Sequence, residues 1–162
     1  MTDFQEVLRI LSTHHVDLIV VGGISAVLHG APVSTFDLDI VHSRDPENVA
    51  RLLMALKELD AEYRYAGGRK LKPAESHLAS KGHQLLITRF GPVDILGTIG
   101  NDLSYEDLLP HTTEMFVTES LKARILNLET LIEIKERLGT GKDRAALPIL
   151  KRTMEERRKS TG

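Results

Sequence analysis

At 162 residues the chain has the length of one ordinary domain, and 41% hydrophobic against 27% charged content belongs to a packed globular protein rather than a disordered one. A net charge of −2 excludes a general basic binder of nucleic acid, so such a partner would need a local patch. With no cysteine, disulfides, thiolate zinc sites and a cysteine nucleophile are all excluded.

The first residues carry neither a basic nor an apolar leader segment, and no apolar run is long enough to span a bilayer, so a cytoplasmic protein without membrane contact is expected. Residues 2–13 read as a helix: Phe4, Val7, Leu8 and Leu11 keep helical spacing, and Thr2 with Gln5 makes a capping box. His14 and His15 fall at its end, where they suit the helix dipole and do not face one another as a ligand pair. Residues 17–21 form a β-branched strand that stops at Gly22-Gly23. Ile24, Val27 and Leu28 then give the apolar face of a short helix, closed by His29-Gly30 and barred from continuing by Pro32.

Residues 36–41 are the second strand. Asp45-Pro46-Glu47 opens an amphipathic helix that buries Val49, Leu52, Leu53, Leu56 and Leu59. From 61 to 77 the pattern weakens to a short strand at Tyr63-Arg64-Tyr65 and a basic loop at 67–73. Residues 85–90 and 93–96 pair as a hairpin about Gly91-Pro92. A short helix at 104–109 and short strands at 115–117 and 123–126 follow. Residues 128–138 form a helix capped by Asn127 and stopped by Gly139 and Gly141, and a last helix within 143–159 is kinked or restarted at Pro148. The expected fold is α/β: one domain over 1–162, with a small mixed β-sheet and flanking helices in residues 1–118 and a C-terminal helical part in 119–162.

Gly22 and Gly23, between a strand and a helix, let a ligand approach the backbone and leave the first helical N–H groups to meet a phosphate. Ser25 would add a hydroxyl, and the alternative is a tight turn needing positive φ. Asp37 and Asp39 project to one side of their strand, where two like charges repel unless neutralised. Mg²⁺ would neutralise them, and a solvent-facing strand edge is the other reading. Asp94 sits in an otherwise apolar strand, so its charge must be paired, hydrogen-bonded or metal-bound unless it lies on an exposed edge. Leu128, Leu131, Ile132 and Lys135 keep helical spacing, which places Lys135 in a buried stripe where it must snorkel or meet an anion. Arg64, Arg69, Lys70 and Lys72, interleaved with Tyr63 and Tyr65, suit an RNA acceptor or simply a solvated loop.

Gly22-Gly23, then thirteen residues, then Asp37-Leu38-Asp39-Ile40, then the lone strand aspartate Asp94, resembles the nucleotidyltransferase superfamily that shares the DNA polymerase β-type palm. The fuller run, with Ser25, His29-Gly30, Pro32 and Thr35 in place, is similar to its small toxin-like branch of abortive-infection and toxin–antitoxin enzymes. The resemblance implies a palm-like sheet and transfer of a nucleoside monophosphate from a nucleoside triphosphate to an RNA, tRNA or protein hydroxyl. In that scheme Gly22, Gly23 and Ser25 cradle the triphosphate, while Asp37, Asp39 and Asp94 hold two Mg²⁺ ions. Asp94 also helps activate the acceptor. Leu131-Ile132 with Lys135, and Lys142-Asp143, match a further helix pattern of such enzymes, which implies that Lys135 contacts nucleotide phosphates. An antitoxin partner goes with the toxin-like branch. One position departs: Val33 follows Pro32 where the pattern has arginine. That departure favours altered preference or a weakened enzyme, and motivates the alternative of a non-catalytic nucleotide- or partner-binding module.

Overall fold

The computed structural model describes residues 2–139 and 141–161, except for the side chains of 142, 143 and 161. Helix α1 (Phe4–Thr13) buries Val7, Leu8, Ile10 and Leu11. Its cap is Asp3, whose carboxylate accepts from the Glu6 N–H, and not the expected Thr2–Gln5 box. Thr2 is instead buried, with its hydroxyl directed at the carbonyls of Phe36 (2.8 Å) and Pro92 (2.7 Å). Its one proton serves one carbonyl at a time, and either bond ties Thr2 to a distant segment.

Strand β1 (Leu18–Val21) passes without a loop residue into α2 (Gly22–Leu28), so the helix begins on the glycines themselves. After an irregular segment come β2 (Leu38–His42) and α3 (Pro46–Glu58). Then β3 (Glu62–Tyr63), α4 (Glu75–Ala79), β4 (His83–Thr88) and β5 (Gly91–Leu96) follow. The sequence pattern contained no signal for α4. The β4–β5 turn falls at Arg89-Phe90, two residues before the expected Gly91-Pro92, because Thr88 closes it: its hydroxyl donates to the Gly91 carbonyl and accepts from the Phe90 N–H. Beyond α5 (Tyr105–Leu108), β6 (Thr112–Phe116) and β7 (Lys122–Leu126) form the second hairpin.

Helix α6 (Leu128–Leu138) ends at Gly139 in the left-handed conformation, with φ of 60°. Helix α7 (Gly141–Thr161) carries Pro148 inside it and runs through rather than restarting. Gly141 therefore opens α7 and is not part of the α6 stop.

The seven strands form one sheet in the order β3-β4-β5-β2-β1-β7-β6. β1–β7 and β2–β5 are parallel, and the other pairs are antiparallel. Strand alternation divides the core in two. Val20, Leu38, Ile40, Leu86, Val93 and Ile95 face α1, α3 and α4. Ile19, Val21, Val41, Leu96 and Leu126 face α2, α6 and α7, which bring Ala26, Leu131, Ile132 and Leu150. The C-terminal segment thus supplies β7 to the sheet as well as helices to its second face. Over β4 that second face is open: His83 is exposed and Ile87 is 39% exposed. The carboxylates lie at the border between the covered and the open halves.

Candidate functional site

Three elements converge at the upper end of β1. Gly22 adopts φ of 65°, and a Cβ built on it would lie 2.3 Å from Asp39 Oδ2. A Cβ on Gly23 would lie 2.6 Å from Thr35 Oγ1. The two glycines therefore serve distinct neighbours: the first admits the Asp39 carboxylate against the turn, the second the threonine that leads the chain into β2. Thr35 Oγ1 also reaches the Asp37 carbonyl at 3.3 Å. Ser25 is fully buried, and its hydroxyl donates to the Gly22 carbonyl at 2.6 Å, so in this structure it braces the turn from inside.

Asp39 pairs across β1 with Val21 and across β5 with Asp94. Residues in register on neighbouring strands point to the same face about 4.8 Å apart. Asp39 and Asp94 are thus brought together from positions 55 apart in sequence, on central strands, so the exposed-edge reading does not apply to either. Asp37 falls one residue ahead of β2, on the same side by alternation.

The charge on Asp94 has a partner that the motif does not contain. Arg64 donates from one nitrogen to Asp94 Oδ1 (2.5 Å) and from the other to the Leu86 carbonyl (2.7 Å). Both side chains are mostly buried, 15% and 16% exposed. Burial works against the Arg64 charge, but the bond and charge of Asp94 and the charge of Asp37 outweigh it, and its pKa is raised. Among the described residues, no three histidine, aspartate or glutamate side chains are gathered closely enough to hold a metal ion. Beside the pair, a cavity of about 280 Å³ is lined by Tyr63, Tyr65, Arg69, Leu71 and Leu85. Leu85 is the cross-strand neighbour of Asp94, and the Arg64 guanidinium stands 5.8 Å from the Tyr65 ring centre.

Lys135 is half-buried on α6, which packs against α2. The Lys142 and Asp143 side chains lie outside the described residues. Val33 is partly buried against the second core cluster, where an arginine would need a partner for its charge. His29 closes α2 as a structural residue: one ring nitrogen donates to the Leu126 carbonyl (2.8 Å), and Nδ1 accepts from Arg157 (2.7 Å). Burial pushes its pKa down, the Leu126 bond opposes this, and the Arg157 charge adds to the lowering.

Arg64 is the residue that motif reading passed over as part of a basic loop. Its only sequence signal is a cation within a Tyr-Arg-Tyr strand segment, where alternation turns Arg64 away from Tyr63.

The glycine turn and the paired aspartates on adjacent parallel strands sit within a seven-stranded mixed sheet that carries helices on both faces. A solved structure from Thermotoga maritima, described as a "putative nucleotidyltransferase", superposes over 90% of this chain and 88% of its own with a TM-score of 0.57. The two sequences are 20% identical, so the likeness is one of fold. No protein-family model and no curated protein matches the sequence. Among the described residues, no helix is long and apolar enough to cross a membrane.

Proposed function

We propose that the chain is a Mg²⁺-dependent nucleotidyltransferase, in which an acceptor hydroxyl attacks the α-phosphate of a nucleoside triphosphate and pyrophosphate leaves. The observation that carries this reading is the register of Asp39 with Asp94 beside the Gly22 turn. Although no three acids close around an ion among the described residues, Mg²⁺ takes one or two protein carboxylates plus substrate phosphates, and the residues fit it in two respects. Carboxylate oxygens are the donors a hard dication takes, and Gly22 leaves room for one of them against the turn where a phosphate would rest. Bound Mg²⁺ would neutralise charge on the attacking and leaving oxygens.

Asp37 and Asp39 would hold the metal, with Asp94 completing the set and orienting the acceptor hydroxyl. Gly22 and Gly23 would present backbone N–H groups to the triphosphate, with Ser25 holding the turn in shape. Lys135 would contribute a cation to the phosphates from α6. The acceptor is an RNA or tRNA end or a protein hydroxyl, and the toxin-like resemblance adds an antitoxin protein as partner. The work of the protein in such chemistry is positioning and charge placement.

The test is incubation with α-labelled nucleoside triphosphates, Mg²⁺ and a pool of RNA and protein acceptors. Label should appear in an acceptor and fall by about a hundredfold or more in Asp37→Asn with Asp39→Asn. Labelling that survives the double substitution refutes the mechanism. A second reading, a non-catalytic module on the same fold, is favoured by Val33 and by the neutralised Asp94. Calorimetry separates the two: Mg²⁺-dependent triphosphate binding with no transfer to any acceptor supports the module.

A further inference from the structure

The ion pair between Arg64 and Asp94 joins two groups that a loaded metal site could not leave as they are. Asp94 stands beside Asp39 in the strand register, and two carboxylates at that spacing disfavour one another's charge unless a cation intervenes. In this structure the cation on Asp94 belongs to the protein. Arg64 reaches Asp94 from the strand side, is anchored by the Leu86 carbonyl, and feels the charge of Asp37 as well. It is thus bonded to one of the three aspartates assigned to metal, and the charge of a second favours its own.

We infer that Arg64 is a resident counter-ion of the metal site, which holds Asp94 until a divalent cation displaces it; the inference rests on the nucleotidyltransferase reading. Two features make it displaceable rather than a fixed strut. Arg64 follows β3, a strand of two residues at the margin of the sheet, and leads into the 64–72 segment with its two glycines in left-handed conformations. The guanidinium already stands 5.8 Å from the centre of the exposed Tyr65 ring, with the neighbouring cavity opening beyond it. On release from Asp94, Arg64 would give up a buried carboxylate and keep the aromatic face. A dication at Asp94 supplies the compensation, because the carboxylate keeps a positive partner throughout. The arrangement couples metal loading to the conformation of the 64–72 segment.

Mn²⁺ titration of the intact chain, followed by electron paramagnetic resonance and calorimetry without nucleotide, tests this independently of activity. Arg64→Gln should bind Mn²⁺ about tenfold or more tighter than the wild type, the scale on which a neighbouring charge alters a carboxylate's affinity for a cation. Adding Asp94→Asn should abolish that gain. Mn²⁺ should also raise the melting temperature of Arg64→Gln by more than that of the wild type, since the metal replaces the positive partner that the substitution takes from Asp94. If Arg64→Gln does not fold, judged by circular dichroism, Arg64→Lys carries the comparison. A lysine is a point cation that cannot hold the Leu86 carbonyl and Asp94 as a fork, so several-fold tighter binding is expected.

Equal or weaker Mn²⁺ binding by the variant, where Asp37→Asn with Asp39→Asn weakens binding, overturns the role of Arg64 and leaves the metal site standing. Binding indifferent to the Asp37 and Asp39 substitutions overturns the metal-site reading itself. No binding by either wild type or variant overturns both.

Discussion

Gly22→Ala is the most direct probe of how the turn and the carboxylate depend on one another. The substitution meets two costs that the structure separates. The backbone at Gly22 has φ of 65°, and a side chain in that region costs about 1–2 kcal/mol. The new methyl would also lie 2.3 Å from Asp39 Oδ2 and 3.1 Å from its Cγ. Asp39 cannot retreat as a whole, because its strand is fixed by pairing to Val21 on one side and Asp94 on the other. Forced repacking of this kind adds about 1–3 kcal/mol. The expected total is about 3 kcal/mol, equivalent to roughly 6–12 °C in melting temperature for a chain of this size.

Gly30→Ala provides the control. Gly30 has φ of 93°, but nothing lies within 4 Å of its Cβ position, so only the backbone cost of about 1–2 kcal/mol applies. Urea denaturation of both variants gives the difference, and Gly22→Ala in an Asp39→Ala background gives the coupling. That background leaves only the Asp39 Cβ, at 3.2 Å, and should recover about 1–2 kcal/mol of the loss. If the two glycine variants lose equal stability, or if Asp39→Ala leaves the loss from Gly22→Ala unchanged, the turn and the carboxylate are not packed as described.

Asn48 is fully buried in α3 and accepts from the Asp17 N–H (2.7 Å) while donating to the carbonyls of Asp17 (3.1 Å) and Ser43 (2.8 Å). Asn48→Ala leaves those backbone groups unsatisfied and should cost about 2–4 kcal/mol in urea denaturation; a loss below about 1 kcal/mol would show that water replaces the amide. His29 and His42 are both buried with pKa values lowered from the ordinary 6.5, burial being the first cause for each and opposed by bonds to the Leu126 and Leu78 carbonyls. The unfolded chain thus takes up protons that the folded chain refuses. Their stabilisation is complete above pH 6.5 and is lost as the pH falls from there through the lower folded values, at up to about 1.4 kcal/mol per pH unit for each histidine. Urea midpoints should decline between pH 7.5 and 5.5, and a flat profile would contradict the neutral buried imidazoles.

Much of the site was legible because local chemistry forces it. A glycine pair after a β-branched strand, and two acids separated by one residue in an apolar strand, have few physical explanations. Both stretches lie where the pattern puts them. The boundaries were less legible where a single side chain reassigns its neighbours. Thr2 resembles a helix cap but spends its hydroxyl on Phe36 and Pro92, contacts 34 and 90 residues away that no local window contains. Thr88 likewise moves a turn away from Gly91-Pro92, the strongest turn dipeptide in the region. Helix α4 lacks a periodic stripe because it is a single short turn anchored by Leu78 alone.

The charge balance of the site depends on long-range pairing, which is why it could not be read from the motif. Asp94 alone in a strand demands a partner, and metal, hydrogen bond and ion pair all satisfy that demand equally on paper. The structure shows the ion pair, with a residue thirty positions upstream in what reads as a solvated basic loop. Of the four cations in that loop, alternation turns Arg64 toward the face that carries Asp94, with Leu85 between them in the register. A buried carboxylate on a central strand needs a positive partner in the folded chain, and the arginine that follows β3 supplies it from the margin of the sheet.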